Sequence, residues 1–530
     1  MLRKPLVFKP NTLYYGDCLD IMRDWEAGCV DLIYLDPPFN SNANYNVLYG
    51  KDPAGKPRDE PAQFTAFKDT WFWSVESGRR VKEIKRAVAH PAHRSIKGLS
   101  KVLPKSGMLA YLVYMADRIA VMRDALKHSG SIYLHCDPTA SHYLKIVMDD
   151  VFGAHNFRNE ISWKRRKDTH NLATKHMGRA HDVILYYGKS DKAVYRKVFL
   201  PYQDEYIESH YKHEDENGHY RLLPCTNETG GNKPYEFEGV TRSWRFEVKR
   251  MRRMLQDNLL VQLSPGGPFY YKKYIQDAKG VPLQDLWLDI APVRGNESLG
   301  YPTQKPVSLL ERIISTSTNK GDLVLDPFCG CGSTAEAAYQ LGRTFIGIDI
   351  SPYAITRICH ERLKHAAGVS VQGLPTDLDG ARKMAEDDRF LFEQWAVTTL
   401  PGFEPNEKQT GDGGIDGVGY LLNPPHGESG RCVVQVKSGN YTPDHLRALL
   451  SKITGGYAGL GIFVTMEKIR ETKTVRECVE NAGQFHEGAK TFNRLLFWSM
   501  EEHFAKRKLL LPAMAHPRTG KALQDMIPSD

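Results

Sequence analysis

One segment sets most of the limits on this chain. Residues Leu323-Val324-Leu325-Asp326-Pro327-Phe328-Cys329-Gly330-Cys331-Gly332-Ser333-Thr334 give an apolar run, an Asp-Pro stop, two nearby glycines and a Ser-Thr start. That order reads as a buried strand, a tight turn and a helix start. Proline cannot donate to a sheet ladder, and glycine lets a ligand approach the backbone closely. A second strand, 344–350, follows and ends in Gly347-Ile348-Asp349. Strand, turn, helix and strand make one unit of a parallel α/β sheet. An acid about 20 residues after such a turn can accept both hydroxyls of a ribose. The third glycine of the dinucleotide fingerprint is missing, which disfavours a nicotinamide dehydrogenase.

A second stop of the same kind lies near the N-terminus. Val30–Leu35 is mostly apolar, as in a strand buried on both faces, and ends at Asp36-Pro37-Pro38-Phe39. Apolar residues at Leu112, Met115, Ile119 and Met122 predict a helix over 108–126, closed by Ser129-Gly130. A strand at 131–135 and a helix at 141–151 continue the alternation. Further elements are expected at 307–316 (helix), 322–326 (strand) and 333–341 (helix). Residues 40–105 read as loop with short helices, and 195–300 as aromatic and Gly/Pro-rich without a sustained pattern. A Gly/Pro/Asp-rich linker is expected at 366–380. A second α/β unit follows, with helices near 381–399 and 443–453 and strands at 432–437 and 461–465.

The length of 530 residues predicts two to four domains. A net charge of +8 and pI near 8.8 suit a polyanionic partner without requiring one. Nine scattered cysteines argue against a secreted disulfide framework, and the lack of a CxxC pair argues against a zinc ribbon. No stretch reaches the ~18–20 apolar residues of a membrane helix. The chain is expected to be soluble and cytoplasmic, with no membrane partner.

Asp36-Pro37-Pro38-Phe39 suits one kind of chemistry. The lone pair of an exocyclic amine is delocalised into its ring, so the nitrogen is a poor nucleophile. The Asp36 carboxylate and the Pro37 carbonyl can accept its two hydrogens and favour a tetrahedral nitrogen. Pro37 and Pro38 hold the turn rigid, and the Phe39 face can stack on a base extruded from a duplex. A plain strand-ending turn is the competing reading.

Together these motifs resemble the amino-group DNA methyltransferases that use S-adenosylmethionine. The catalytic motif precedes the cofactor motif, as in the beta class. Tyr301-Pro302-Thr303-Gln304-Lys305-Pro306 looks like the family's segment ahead of the cofactor strand, and Gly16-Asp17-Cys18-Leu19 like the one that supplies an Asp near the cofactor's adenine. The resemblance spans residues 10–365. It implies a Rossmann-like methyltransferase domain over 1–365, with cofactor-binding residues Asp17, Lys305, Asp326, Phe328, Gly330, Gly332 and Asp349. It places catalysis at Asp36, Pro37, Pro38 and Phe39. Target recognition falls about 158–300, where the basic stretch 158–181 would hold phosphates of double-stranded DNA. Adenine-specific members more often carry Tyr where Phe39 stands, and cytosine-N4 members more often carry Ser where Asp36 stands. Asp36 therefore favours adenine N6 over cytosine N4.

Past the linker, Gly411-Asp412-Gly413-Gly414-Ile415-Asp416-Gly417 precedes the strand Cys432-Val433-Val434-Gln435-Val436-Lys437. Gln435 and Lys437 share a face of that strand. Asp416 and a neighbouring oxygen can hold Mg²⁺, with Lys437 serving water or phosphate charge. Glu393, on an upstream helix, could add a second carboxylate. Asp412 is a competing candidate, ranked below Asp416 because Asp416 directly follows Gly-Gly-Ile. This set resembles the Mrr-like branch of restriction-endonuclease folds, where Gln-x-Lys replaces Glu-x-Lys, over about 380–485. The expected domain is 381–510, catalytic at Asp416, Gln435, Lys437 and Glu393, with metal held by Asp416, Gln435 and Glu393. The expected whole is a DNA methyltransferase with a Mg²⁺-dependent endonuclease, in restriction–modification or phage defence. The rivals are a tail that only binds DNA and an RNA or protein methyltransferase. Oligomeric state is open, a homodimer being one option.

Overall fold

Nine strands form the main sheet. They are β1 (Thr12–Tyr15), β2 (Val30–Leu35), β3 (Leu126–Cys136), β4 (Phe157–Lys164), β5 (His181–Gly188), β6 (Leu286–Trp287), β7 (Leu323–Asp326), β8 (Thr344–Asp349) and β9 (Ser370–Gln372). Their order is β6-β4-β5-β3-β2-β7-β8-β1-β9. The computed structural model describes residues 9–38, 44–51, 57–68, 71–165, 177–227, 233–299, 301, 303–406, 414–516, 520 and 522–523, the stretches 44–51 and 57–68 by backbone alone.

From β3 through β9 every neighbouring pair is parallel, while β5 is antiparallel to both β3 and β4. The mixed sheet is the expected α/β class. Its central strands are apolar on both faces because helices cover both. Residues Val30, Leu32, Ile33 and Leu35 are fully buried. Helices α1 (Cys18–Met22), α2 (Gly107–Ala125), α3 (Ser141–Phe152), α4 (Val307–Ser317) and α5 (Ser333–Gln340) connect the strands. Leu112, Met115, Ile119 and Met122, the positions that predicted α2, all enter the core. Ser106 caps that helix through the Leu109 amide at 3.1 Å. The helix stops at Ala125, and β3 starts at the next residue, ahead of Ser129-Gly130.

Other expectations shift. The 40–105 stretch contains a two-stranded hairpin, Asn44–Lys51 with Pro57–Lys68, and helices Val75–Arg86 and His93–Val102. Those helices bury only a few residues each, such as Val81 and Ile84, so their apolar period is faint. The expected linker is partly structured: β9 adds the last strand to the sheet, beside β1, and helix α6 (Leu378–Asp387) begins within it.

Helices α6 and α7 (Arg389–Thr398) break at Asp388, whose carboxylate caps α7 through the Phe390 and Leu391 amides. One continuous helix was expected there. Beyond lies a five-stranded sheet of β10 (Phe403–Pro405), β11 (Gly417–Tyr420), β12 (Arg431–Lys437), β13 (Leu460–Thr465) and β14 (Leu495–Ser499), in that order. Helix α8 (Pro443–Thr454) connects β12 to β13, which are parallel. Phe392, Trp395, Val434, Val436, Ile462 and Trp498 share its core.

Residues 197–284 form a separate compact unit, narrower than the 158–300 range expected for target recognition. Within it a four-stranded sheet and the helix Val248–Gln256 enclose a core of Trp244, Met251, Met254 and Phe269. Among the described residues no helix is long and apolar enough to cross a membrane.

Candidate active sites

Strands β1, β2, β7 and β8 are parallel neighbours, so their carboxyl ends open on one edge of the sheet. A cavity open to solvent lies there, lined by Asp36, Lys305, Asp326, Phe328, Gly330 and Asp349 among others. Five of these seven expected cofactor residues come from distant positions: Lys305, Asp326, Phe328, Gly330 and Asp349 all reach this one cavity.

The turn after β7 explains itself residue by residue. Asp326 ends the strand and turns its carboxylate onto the loop that follows. It accepts from the Phe328 amide at 3.1 Å and from the Thr334 hydroxyl. Gly330 and Gly332 have φ of +47° and +76°, a region that disfavours side chains. A Cβ at Gly330 would also stand 3.0 Å from the Tyr301 ring. Asp349 accepts from the Gly330 amide at 2.8 Å and from the Ser351 amide at 2.8 Å, which ties the second strand to the turn. Burial pushes the Asp349 carboxyl up to about 6. Burial also raises Asp326 to about 7, against the Thr334 and Phe328 hydrogen bonds, with Asp36 and Asp349 adding to the rise.

Asp36 sits where β2 ends, its side chain 13% exposed, and pairs through Oδ2 with the Lys305 ammonium. Its Oδ1 is buried and has no hydrogen-bond partner among the described residues. Lys305 thus contacts the expected catalytic carboxylate, although the resemblance placed it with the cofactor. Ser333 fixes the Lys305 backbone by donating to its carbonyl at 2.9 Å. The cavity lining holds three carboxylates and one ammonium, so it favours a cationic ligand. Pro38 lines it too, whereas Pro37 is not part of the lining. Phe39 and Pro302 lie outside the described residues.

Asp17 is placed differently from a free ligand. Its Oδ1 caps α1 through the Leu19 amide at 2.8 Å, and its Oδ2 pairs with Arg118. Arg118 is buried and stacks 3.2 Å over the Tyr114 ring, which lines the cavity. Tyr114 and Arg118 escaped the sequence reading because α2 looks uniformly apolar; their four-residue spacing on one helix face was the available signal.

Tyr34 was also missed, although it stands two residues before Asp36 on one strand and so faces the same side. Its hydroxyl meets His135 Nδ1 at 2.8 Å, and His135 Nε2 meets Asp182 at 3.1 Å. All three are buried, and Arg165 lies 3.4 Å from Asp182. This chain of polar groups locks β2 to β3 and β5 behind the cavity. Within the basic stretch 158–181, Arg158 donates to the Ser190 carbonyl and Arg179 to the Thr139 hydroxyl; residues 166–176 lie outside the described residues.

In the second sheet, Asp416 immediately precedes β11. Its amide donates to the Val434 carbonyl at 2.8 Å, and its Oδ2 accepts from the Val436 amide at 2.6 Å. The carboxylate is therefore held against the strand that carries Gln435 and Lys437. Gly414 has φ of +80°, and a Cβ there would meet Gln435 Nε2 at 2.9 Å. Asp412 lies outside the described residues. Glu393, on α7, is 15% exposed and pairs with Arg389 at 2.8 Å. His445, at the start of α8, is pushed down by burial and by the charges of Lys437 and Arg389. Its Nδ1 accepts from the Thr442 amide at 3.1 Å, which fixes the ring at the helix start, and the sequence reading did not name it. Among the described residues no group of three or more His, Cys, Asp or Glu could hold a metal.

The family model described as DNA methylase matches residues 30–359, and the one described as restriction endonuclease matches 391–486. The type II methyltransferase M.EcaI of Enterobacter cloacae is 31% identical over 253 residues, 46% of this chain and 56% of that protein. The type II methyltransferase M.BamHI of Bacillus amyloliquefaciens is 47% identical over 354 residues, 67% of this chain and 57% of that protein. The chain spans about half the length of the curated relatives it matches. The solved M1.HpyAVI–SAM complex is 17% identical, with a TM-score of 0.31, covering 66% of this chain and 98% of that one. With the methylase model matching more than half of its length, the chain belongs to the DNA methylase family and carries a restriction endonuclease domain of the Mrr type behind it.

Proposed function

We propose that this chain transfers a methyl group from S-adenosylmethionine to an exocyclic amine of duplex DNA, adenine N6 rather than cytosine N4. We further propose that its C-terminal domain cleaves DNA with Mg²⁺, in restriction–modification or phage defence. The observation that carries the first reading is Asp36 Oδ1, a buried acceptor without a partner at the mouth of a cavity lined by carboxylates.

The cavity fits the methyl donor: its acids suit a sulfonium and an ammonium, and Gly330 leaves the backbone open to close approach. When bound, that donor supplies an electrophilic methyl. Asp349 would accept from the ribose, with Phe328, Gly330 and Gly332 shaping the turn. Lys305 holds Asp36 by one oxygen and leaves the other for the target amine. Oδ1 would accept an amine hydrogen, drawing the nitrogen lone pair out of conjugation, and would take the proton released as nitrogen bonds the methyl carbon and sulfur leaves with the electron pair of its broken bond, as a neutral thioether. Pro37 offers its carbonyl for the other hydrogen, and Pro38 stiffens the turn.

In the C-terminal domain, Asp416, Gln435 and Glu393 of α7 would hold Mg²⁺ and Lys437 would face the scissile phosphate. The two domains are read as 1–365 and 381–510. The test incubates purified protein with the methyl donor and plasmid, with and without Mg²⁺. Digested nucleosides are assayed by mass spectrometry and strand breaks on gels. N6-methyladenine together with Mg²⁺-dependent breaks is expected. N4-methylcytosine alone would reverse the base assignment, and intact plasmid would favour a tail that only binds DNA.

A further inference from the structure

The unit 197–284 is almost neutral, with 13 Lys and Arg against 12 Asp and Glu. Its charges are sorted along the chain. Residues 204–216 carry six acids and a single Lys212, whereas 242–253 carry Arg242, Arg245, Lys249, Arg250, Arg252 and Arg253 against one acid, Glu247. All six of those basic residues are exposed.

The helix Val248–Gln256 organises the basic cluster. Met251 and Met254 turn inward onto Trp244, Phe237 and Phe269, which fixes the rotation of the helix. Lys249, Arg250, Arg252 and Arg253 are left on its outer surface. Arg250 lies 4.5 Å over the Phe246 ring, and Arg245 donates to the Thr226 carbonyl at 3.0 Å, so two cluster members are held in place. Arg253 has a loose pairing with Asp257 at 3.7 Å. Among the described residues no ion pair engages Arg242, Lys249, Arg250 or Arg252. An unneutralised basic helix face on a small rigid core is the electrostatic footprint of a nucleic-acid reader.

We infer that the helix Val248–Gln256, with Arg242 and Arg245 beside it, is the surface of this unit that docks in the major groove of duplex DNA. An α-helix about 10–12 Å across with its side chains fits a groove about 12 Å wide, and nine residues at about 1.5 Å each give it roughly 13 Å of length to lie along that groove. Arginine's planar fork serves both phosphates and guanine edges, which explains why arginines outnumber lysines here. The inference rests on the DNA methyltransferase reading for its partner, but its test is a binding measurement.

The full chain is titrated onto fluorescent linear duplex DNA across a salt series. Arg250→Glu/Arg252→Glu is compared with Lys212→Glu/Lys279→Glu, which makes the same charge change at exposed lysines elsewhere in the unit. Equal thermal melting of both variants establishes that neither has unfolded. The helix variant should bind about 100-fold more weakly at low salt, with a log–log salt slope shallower by about 2. The lysine variant should change by less than about threefold. Wild-type protein should prefer the duplex over a single strand of the same length. Equal losses in the two variants, an unchanged helix variant, or equal binding to single strands would each overturn the assignment. Methylation of the same duplex by the wild-type chain is scored in parallel. Its absence alongside the expected binding pattern removes the enzymatic reading and leaves the docking surface standing.

Discussion

The Tyr353 hydroxyl donates to the Glu404 carboxylate at 2.7 Å, and both residues are buried. Tyr353 lies four residues past Asp349, and Glu404 lies on β10, the edge strand of the second sheet. Arg357, on the π-helical segment Ala354–Cys359, adds bonds to the Thr398 and Leu400 carbonyls at 2.6 and 2.8 Å. The methylase half thus caps the end of α7, the helix that carries Glu393.

A chain ending after Gln372 keeps all nine strands of the main sheet and should still methylate DNA without cutting it. It should also melt lower than the full protein, since Tyr353 and Arg357 lose these partners. In the full chain, Tyr353→Phe should cost about 1.5–3 kcal/mol, the range for a hydrogen bond to a charged group. Urea unfolding followed by tryptophan fluorescence would measure it; no shift in midpoint would mean the contact is energetically idle.

Asp36→Ala should lower the methylation rate at least about 100-fold while the donor still binds, because Oδ1 acts only once an amine is present. Lys305→Met should slow the same step by roughly 10- to 100-fold, through loss of the ammonium that orients Asp36. Single-turnover rates alongside calorimetric donor affinity separate the two effects. A purely affinity-based defect in Lys305→Met would return that residue to the cofactor.

The raised carboxyl of Asp349 sets a pH dependence. Its folded value, about 6, lies above that of an ordinary aspartate, so the protonated form is favoured in the empty protein. That preference stabilises the fold most below about pH 4 and is lost as pH rises through about 6. Donor binding has the opposite sign, because a ribose donates best to the ionised form. Affinity should be flat above about pH 7 and fall up to about tenfold per unit below 6. Asp349→Ala should bind more weakly and lose that fall; calorimetry at several pH values would decide.

Lys437→Ala should abolish Mg²⁺-dependent strand breaks and leave methylation intact, since Lys437 lies on the second sheet and lines nothing in the donor cavity. Cutting at the wild-type rate would sink the roles given to Asp416, Gln435 and Lys437 together.

The main sheet was legible because parallel strands buried on both faces write themselves as unbroken apolar runs, as at Val30–Leu35 and Leu323–Asp326. Asp36, Asp326 and Asp349 could be found because each stops such a run. Tyr114, Arg118 and His135 were missed, because Arg118 finds Asp17 and His135 finds Tyr34 from 101 residues away, and Tyr114 stands in a helix that reads as plain core. Asp17 shows the limit of motif reading: its position was marked, but only coordinates reveal that a helix cap and Arg118 occupy its two oxygens. The break at Asp388 was hidden because Asp can sit inside a helix or cap one, and local sequence does not choose.

Strand β1 lies between β8 and β9, pairing Thr12 with Ile346 on one side and Ser370 on the other. Both neighbours are made more than three hundred residues after it. At about 5–20 residues per second, a ribosome needs roughly a quarter of a minute to a minute to supply the first of them. During that time β1 has neither of the neighbours it pairs with. The donor cavity, which needs Gly16 beside Asp349, cannot exist until the methylase half has been almost wholly synthesised. By the time β9 closes the edge, the second sheet is already next in line. The order of synthesis therefore completes this cavity before the strands of the C-terminal domain have been made.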